Sequence, residues 1–269
     1  ILGFYLSDIQ FAALIVDIYS KFSNNPVLYT IPIFTFAGYI LAESKASVRI
    51  VNLAQALFGW LPGGLARVSL VACAFFTAFT GASGVTIIAL GAILYPALKQ
   101  DGYDDKFNLG LVTSSGSLGL LFAPSLPLIL YGVVAGVQID DLFLAGILPG
   151  FVMLAMLSGW SIWVNRSNRK PLSAFSWREV GGAMRETMWE LPLPVVVLGG
   201  IYSGYFAVSE AAAITALYVF FVEVVIHREI KFMDLPRVMR ESMVLVGGIL
   251  IILGVSLAST NYMIEAEVP

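Results

Sequence analysis

Along the chain, apolar runs of membrane-crossing length alternate with short polar or basic connections, and two stretches are interrupted from within. A helix needs about 20 mostly apolar residues to cross the hydrocarbon core of a bilayer. That length predicts spans over roughly 1–20, 27–42, 142–164, 205–226 and 243–260, with 187–204 a proline-containing partner of 205–226. The first is the least regular, because Asp8 and Asp17 fall inside it. Residues 44–60 follow another pattern: Arg49, Asn52 and Gln55 recur at helical spacing, with Ile50, Val51, Leu53, Leu57 and Phe58 on the opposite arc. This predicts an amphipathic helix in the cytoplasmic interface, anchored at headgroup level by Trp60. A solvated connector between two spans is the alternative.

The two interrupted stretches carry most of the information. Residues 65–80 form one apolar arm, GASG at 81–84 breaks it, and 85–98 form a second arm. At 1.5 Å per residue the arms reach about 21 to 24 Å, short of a hydrocarbon core of about 30 Å. Two short arms around a small polar tip predict a re-entrant hairpin whose tip points into the membrane. Residues 107–137 are too long for one straight crossing and contain GSLG at 116–119 and Ala123-Pro124-Ser125-Leu126-Pro127. Pro124 disfavours helical geometry at Ala123, Ser125 can cap a new helix, and Pro127 is tolerated in a first turn. A discontinuous helix is predicted, unwound at GSLG and restarting after Pro124.

Irregular backbone at membrane depth persists only where it is buried in protein or lines a watery cavity. Its freed carbonyls and serine hydroxyls suit a hard cation, and the N-terminal ends of half-helices suit an anion. Ion and solute binding near mid-membrane is therefore one reading of the breaks. The plainer reading is that glycine and proline only permit kinks and close helix packing.

Charge sets the orientation. Arg166, Arg169, Lys170, Arg178 and Arg185 in the loop 165–186, and Arg228, Lys231, Arg237 and Arg240 in 227–241, place both loops on the cytoplasmic side. Arg67, Lys99 and Lys106 place both bases of the hairpin there as well. Residues 137–141 and the tail after Thr260 lack Lys and Arg and go outside, so 142–164 runs inward, 187–226 form a pair turning near Ser203 to Ser209, and 243–260 runs outward.

Composition agrees: 58% of residues are hydrophobic and 12% charged, as in a polytopic all-α membrane protein rather than a soluble domain. No dense basic run suggests a nucleic-acid surface. The single cysteine, Cys73, excludes an internal disulfide and reads as a packed small residue. The opening stretch has neither a basic n-region nor an AxA-like cleavage site and is not read as a signal peptide. The chain starts at Ile1 and ends in AEVP directly after an apolar segment, so a fragment of a longer protein is expected.

Other single residues are less specific. Glu210 fits either a buried functional acid or a macrodipole partner at a helix start. Glu223 and His227, at the inner end of the same span, are expected to snorkel into the interface. The lone histidine is not expected to assemble a metal site. GGIYSG at 199–204 and YGVVAG at 131–136 look like small-residue packing surfaces.

Seven segments in order, IPIFTFAGYILAES (31–44), PGGLARV (62–68), FTGASGVT (79–86), YPALKQDGYD (95–104), GSLGLLFAPSLPLILYG (116–132), LFLAGILPG (142–150) and YFAVSEAAA (205–213), resemble the large membrane (M) subunit of tripartite ATP-independent periplasmic (TRAP) transporters. The resemblance implies sodium-driven uptake of a small organic acid, typically a carboxylate, across the bacterial inner membrane. Its implied partners are a periplasmic substrate-binding protein and a small membrane (Q) subunit. No cofactor is implied beyond sodium as the coupling ion. It also implies an elevator-type fold with inverted repeats: scaffold-type spans and an interfacial helix in 1–64, a transport-domain hairpin and broken helix in 65–137, a span and basic loop in 138–186, and the opening of an incomplete second repeat in 187–269.

By that similarity Gly81, Ala82, Ser83, Gly84, Thr86, Ser115, Gly116, Gly119, Pro124 and Ser125 are the candidate substrate and sodium residues, with Ser83, Gly84, Gly119 and Ser125 the sodium candidates. The family usually carries two consecutive prolines before the serine, where this chain has Ala123-Pro124. Without the second repeat, a chain of this length is not expected to transport on its own. Three alternatives stay open: an ion-coupled elevator carrier that works without a binding protein, a channel, and an intramembrane enzyme using the serines or Glu210. The enzyme reading lacks a base near a serine, and no GxxxxGK[ST] motif supports ATP hydrolysis.

Overall fold

The amphipathic segment, the hairpin and the broken helix are all helical, but the second arm of the hairpin, Ser83–Gln100, is longer than the expected 85–98 and is itself long and apolar enough to cross a membrane. The computed structural model describes residues 16, 19, 26–60, 64–166 and 175–265. The expected span over 1–20 lies outside the described residues apart from Val16 and Tyr19, as do Arg169 and Lys170. After a 3-10 turn at Pro26–Tyr29, the helices are α1 (Thr30–Glu43), α2 (Ala46–Phe58), α3 (Gly64–Thr80), α4 (Ser83–Gln100), α5 (Asp105–Leu118), α6 (Leu126–Ala135) and α7 (Ile139–Val164). They continue as α8 (Trp177–Glu186), α9 (Pro192–Tyr202), α10 (Val208–Phe220) and α11 (Leu235–Glu265). A π-turn at Phe221–Ile226 extends α10.

Among the described residues, five helices are long and apolar enough to cross a membrane, and six if the bent pair α5–α6 counts as one span. No strand occurs among them. The chain is an all-α, multi-pass membrane protein. The faces of α7 explain why lipid is required: Leu144, Leu148, Phe151, Met156, Trp160 and Trp163 are exposed along it, an arrangement that water would penalise and hydrocarbon does not.

Helix α3 is the centre of the packing. It lies against α2, α4, α5 and α1, and its buried residues Leu70, Phe76 and Cys73 join Leu90, Leu94 and Leu98 of α4 and Leu111 and Val112 of α5 in one core. A second core gathers Ile31 and Phe34 of α1, Leu126 and Ile129 of α6, Phe143 of α7, Ala211 and Ala212 of α10, and Val246 and Leu253 of α11. Helix α1 contributes to both, and the first core also takes in Leu193 of α9 and Val219 of α10, so the hairpin and the later helices share apolar packing.

Three expectations need correction. First, α11 begins eight residues before the expected 243. Hydropathy stops at Arg237, Arg240 and Glu241, but helix formation does not: Val238 stays buried on one face while Arg237 pairs with Glu43 at 2.8 Å and Glu241 at 3.3 Å. Second, Arg49 does not join Asn52 and Gln55 on a solvated stripe. Its side chain is 12% exposed and pairs with Glu190, Glu223 and Glu229. Burial pulls the guanidinium down, yet Glu223, Glu190 and Glu229 together hold it above its ordinary value.

Third, Glu223 does not snorkel. It is fully buried, with both oxygens 3.0 Å from Arg49 Nη2. A carboxylate can leave water when a charged donor meets it, and here the one Nη2 nitrogen serves both oxygens, so snorkelling is unnecessary. The small-residue motifs at 131–136 and 199–204 serve turns within the chain: Gly132 lies against Ile139 and Leu142 of the next helix, and Gly200 against the Phe206 ring.

Candidate functional site

The hairpin tip is tighter than the sequence implies. Helix α3 ends at Thr80, Gly81 and Ala82 make the turn, and Ser83 and Gly84 already belong to the first turn of α4. Gly81 has φ +63, in the left-handed region that favours glycine, and this allows a helix to reverse within two residues. Threonines stitch the tip: Thr80 Oγ1 and Thr86 Oγ1 lie 3.0 Å apart, and both reach the Ala82 carbonyl, at 3.5 and 3.4 Å. Thr80, Gly81 and Thr86 are buried, while Ala82 and Ser83 are half-buried and Gly84 is exposed, so one side of the tip packs in protein and the other is open. Helix α1 covers the packed side: an added Cβ on Gly38 would come within 2.5 Å of Thr80 Cα.

The break in the second element is shorter than GSLG suggested. Helix α5 runs through Gly116 and Ser117 to Leu118, a 3-10 turn covers Gly119–Leu121, and the non-helical backbone is confined to 122–125. Glycine at 116 and 119 does not unwind the chain. Both positions permit contact: a Cβ at Gly116 would collide with Ile87, and one at Gly119 with the Ala74 carbonyl. Thr77 Oγ1 donates to the Gly116 carbonyl at 2.9 Å, tying α3 to α5 just before the break. Helix α6 then leaves at 46° to α5, with Pro127 in its first turn as expected.

Ser125 stands at the N-cap of α6 with extended backbone (φ −101, ψ 127), but its hydroxyl makes no capping bond. Its Oγ is fully buried and without a partner among the described residues. A buried hydroxyl without a partner costs about 1–3 kcal/mol. Most proteins do not leave one so.

The two breaks meet. Gly81 of the tip packs on Leu126, the first residue of α6, where an added Cβ would lie 2.6 Å from Leu126 Cγ. A Cβ at Gly116 would also lie 3.5 Å from the Ser83 carbonyl. Four helix ends therefore converge: the C-terminal ends of α3 and α5, which present carbonyls, and the N-terminal ends of α4 and α6, which present N–H groups. A site of this kind offers oxygen ligands to a cation and positive helix ends to an anion with no formal charge among its residues.

Of the candidate residues, Gly81, Ala82, Ser83, Thr86, Gly116, Gly119, Pro124 and Ser125 belong to this junction. Ser115 is buried, but its hydroxyl turns back to the Val112 carbonyl at 3.1 Å. Gly84 is exposed, and an added Cβ would meet nothing within 4 Å. Residues missed by the sequence reading are Thr77, Thr80 and Leu126. The threonines at 77, 80 and 86 flanking the glycine turn were the available signal. Glu210 is exposed, and its Oε2 accepts the Ala207 N–H at 3.0 Å, closing the first turn of α10.

Comparison with known proteins agrees with this architecture. The family described as "Tripartite ATP-independent periplasmic transporter, DctM component" matches residues 2–269. The C4-dicarboxylate TRAP transporter large permease protein DctM of Rhodobacter capsulatus is 36% identical over 232 residues, 80% of this chain and 52% of that protein. The ectoine/5-hydroxyectoine TRAP transporter large permease protein UehC of Ruegeria pomeroyi is 33% identical over 243 residues, 90% of this chain and 57% of that protein. The isethionate TRAP transporter permease protein DctMQ of Oleidesulfovibrio alaskensis is 31% identical over 253 residues, 93% of this chain and 40% of that protein. These relatives are named as permeases and not as enzymes, and the chain spans about half their length. A family match over nearly every residue, on a polytopic helical fold with an interrupted hairpin and helix, places the chain in the DctM family of TRAP transporter large permease components.

Proposed function

We propose that the chain forms the first half of a sodium-coupled permease of the bacterial inner membrane, taking up a small organic acid delivered by a periplasmic binding protein and working beside a small membrane subunit. The observation that carries this reading is the junction of the two breaks, with a buried, unpartnered Ser125 hydroxyl at its edge. A hard cation is held by carbonyl and hydroxyl oxygens, and Ala82, Thr80, Thr86 and Ser125 supply such groups. A carboxylate is attracted to helix N-termini, and those of α4 and α6 both open here. The C4-dicarboxylate, ectoine and isethionate names of the relatives support a small acid as the cargo class. An elevator movement of the hairpin and broken helix is part of the same proposal.

The test is uptake into proteoliposomes by the full-length permease with its partners, across imposed sodium gradients. Ser125→Ala removes a hydroxyl that has no hydrogen-bond partner among the described residues, so thermal stability holds or rises by up to about 1 kcal/mol. If Ser125 ligates sodium, the half-saturating sodium concentration rises about ten-fold, the equivalent of about 1.4 kcal/mol. Unchanged sodium dependence in that variant removes Ser125 from the site. Uptake that needs no binding protein favours the independent-carrier reading instead.

A further inference from the structure

A second polar cluster plays no part in the junction just described. Arg49 of α2 reaches three carboxylates on other elements: Nε donates to Glu190 Oε1 at 2.5 Å, Nη1 to Glu229 Oε1 at 2.7 Å, and Nη2 to Glu223 at 3.0 Å. Glu229 is further satisfied by the Lys45 N–H at 2.6 Å. Glu190 is not. Its side chain is 2% exposed, and its Oε2 is buried without a partner among the described residues. One guanidinium against three carboxylates also leaves an excess of two negative charges in this pocket. Uncompensated buried charge of this kind is ordinarily paired, protonated or bound to a metal.

His227 closes the cluster. Its Nδ1 lies 3.4 Å from Glu223 Oε2, and single ligand atoms of Glu190, Glu223 and His227 all fall within 4.8 Å of one another. We propose that these three residues bind one divalent cation of the borderline class, Zn2+ or a similar first-row ion, with Arg49 as a positioning residue. Arg49 uses only part of the acceptor capacity of Glu190 and Glu223. A carboxylate offers about four lone-pair sites, and donors behind a ligating carboxylate are a normal feature of metal sites.

The nitrogen ligand decides the class. An imidazole beside carboxylates suits zinc and its neighbours, whereas magnesium and calcium prefer all-oxygen sets. Tetrahedral ligand bonds of about 2.0–2.2 Å place ligand atoms about 3.4 Å apart, so the Glu190, Glu223 and His227 atoms, which lie within 4.8 Å of one another, must close on the ion by side-chain rotation. His227 is 19% exposed, which gives the ion a route in from the membrane surface. Two positive charges offset the excess of two negative ones. The ion would fasten the residues before α9 to the end of α10, around the arginine that ties both to the interfacial helix α2.

The experiment is a Zn2+ titration of the purified full-length protein in detergent, after chelation, followed by calorimetry and thermal melting, with Mg2+ as control. The expected result is one tightly bound Zn2+ per chain, a rise in melting temperature with Zn2+ and none with Mg2+. His227→Ala leaves every Arg49 ion pair in place, so its fold is the safer background. It is expected to weaken Zn2+ binding at least ten-fold, and Glu190→Gln, which keeps an acceptor for Arg49, to weaken it similarly. Absence of stoichiometric Zn2+ binding overturns the proposal, and so does equal binding in wild type and His227→Ala. A melting temperature that follows pH but ignores Zn2+ also overturns it, making the unpartnered oxygen a proton site.

Discussion

The junction of the two breaks and the Arg49 cluster solve the same problem in opposite ways. Both place polar groups where water is scarce. The junction does so with backbone ends and hydroxyls of Thr77, Thr80, Thr86 and Ser125, and no ionised side chain takes part. The cluster does so with four ionisable side chains around one guanidinium, brought together from α2, the end of α10 and two connections. Partial charges can hold and release a small ion at modest cost, because nothing permanent must be neutralised. Formal charges lock elements together, since separating them exposes an uncompensated ion. The comparison teaches that this chain meets scarce water with dipoles at the junction and uses full charges to join distant elements.

Breaking the lock should cost more than crowding the junction. Arg49→Leu leaves Glu190 and Glu223 buried without their cation, and a loss of about 3–5 kcal/mol is expected on the scale of a broken buried pair. Chemical or thermal unfolding in detergent measures it. Gly119→Val sets a side chain against the Ala74 carbonyl of α3, a backbone atom that cannot rotate away. Overpacking of this kind costs about 1–3 kcal/mol, and sodium-dependent uptake is expected to fall far more than stability does. If Gly119→Val transports normally, the contact between the hairpin and the broken helix is not part of the site.

The smallest effect sharpens the contrast from the other side. Glu210 is a charge that takes part in neither region, for it is exposed and caps α10 through the Ala207 N–H. Glu210→Ala should cost about 0.5–1 kcal/mol, as loss of an end interaction does, with uptake unchanged. A large loss of uptake with stability intact would instead make Glu210 a coupling acid.

Both interruptions were legible in the sequence because glycine and proline act locally. Pro127 fixes the start of α6, and Gly81 the reversal of the hairpin, whatever surrounds them. The extent of each break was not legible. GSLG reads as a place where helix fails, yet Gly116 and Gly119 stay within or beside helix because α3 and Ile87 press against them. Tertiary contact there stabilises what propensity alone would weaken. Charges misled for the same reason. Arg49 shares a helical stripe with Asn52 and Gln55, and periodicity cannot register that Glu190, Glu223 and Glu229 converge on Arg49.

What the sequence by itself determined is the solvent and the punctuation: long apolar runs demand lipid, and glycine and proline mark where helices stop. Only the tertiary structure decided which interruptions meet and which charges are buried. Residues far apart in the chain, such as Gly81 with Leu126 or Arg49 with Glu223, interact through distance and orientation, quantities that no one-dimensional pattern carries.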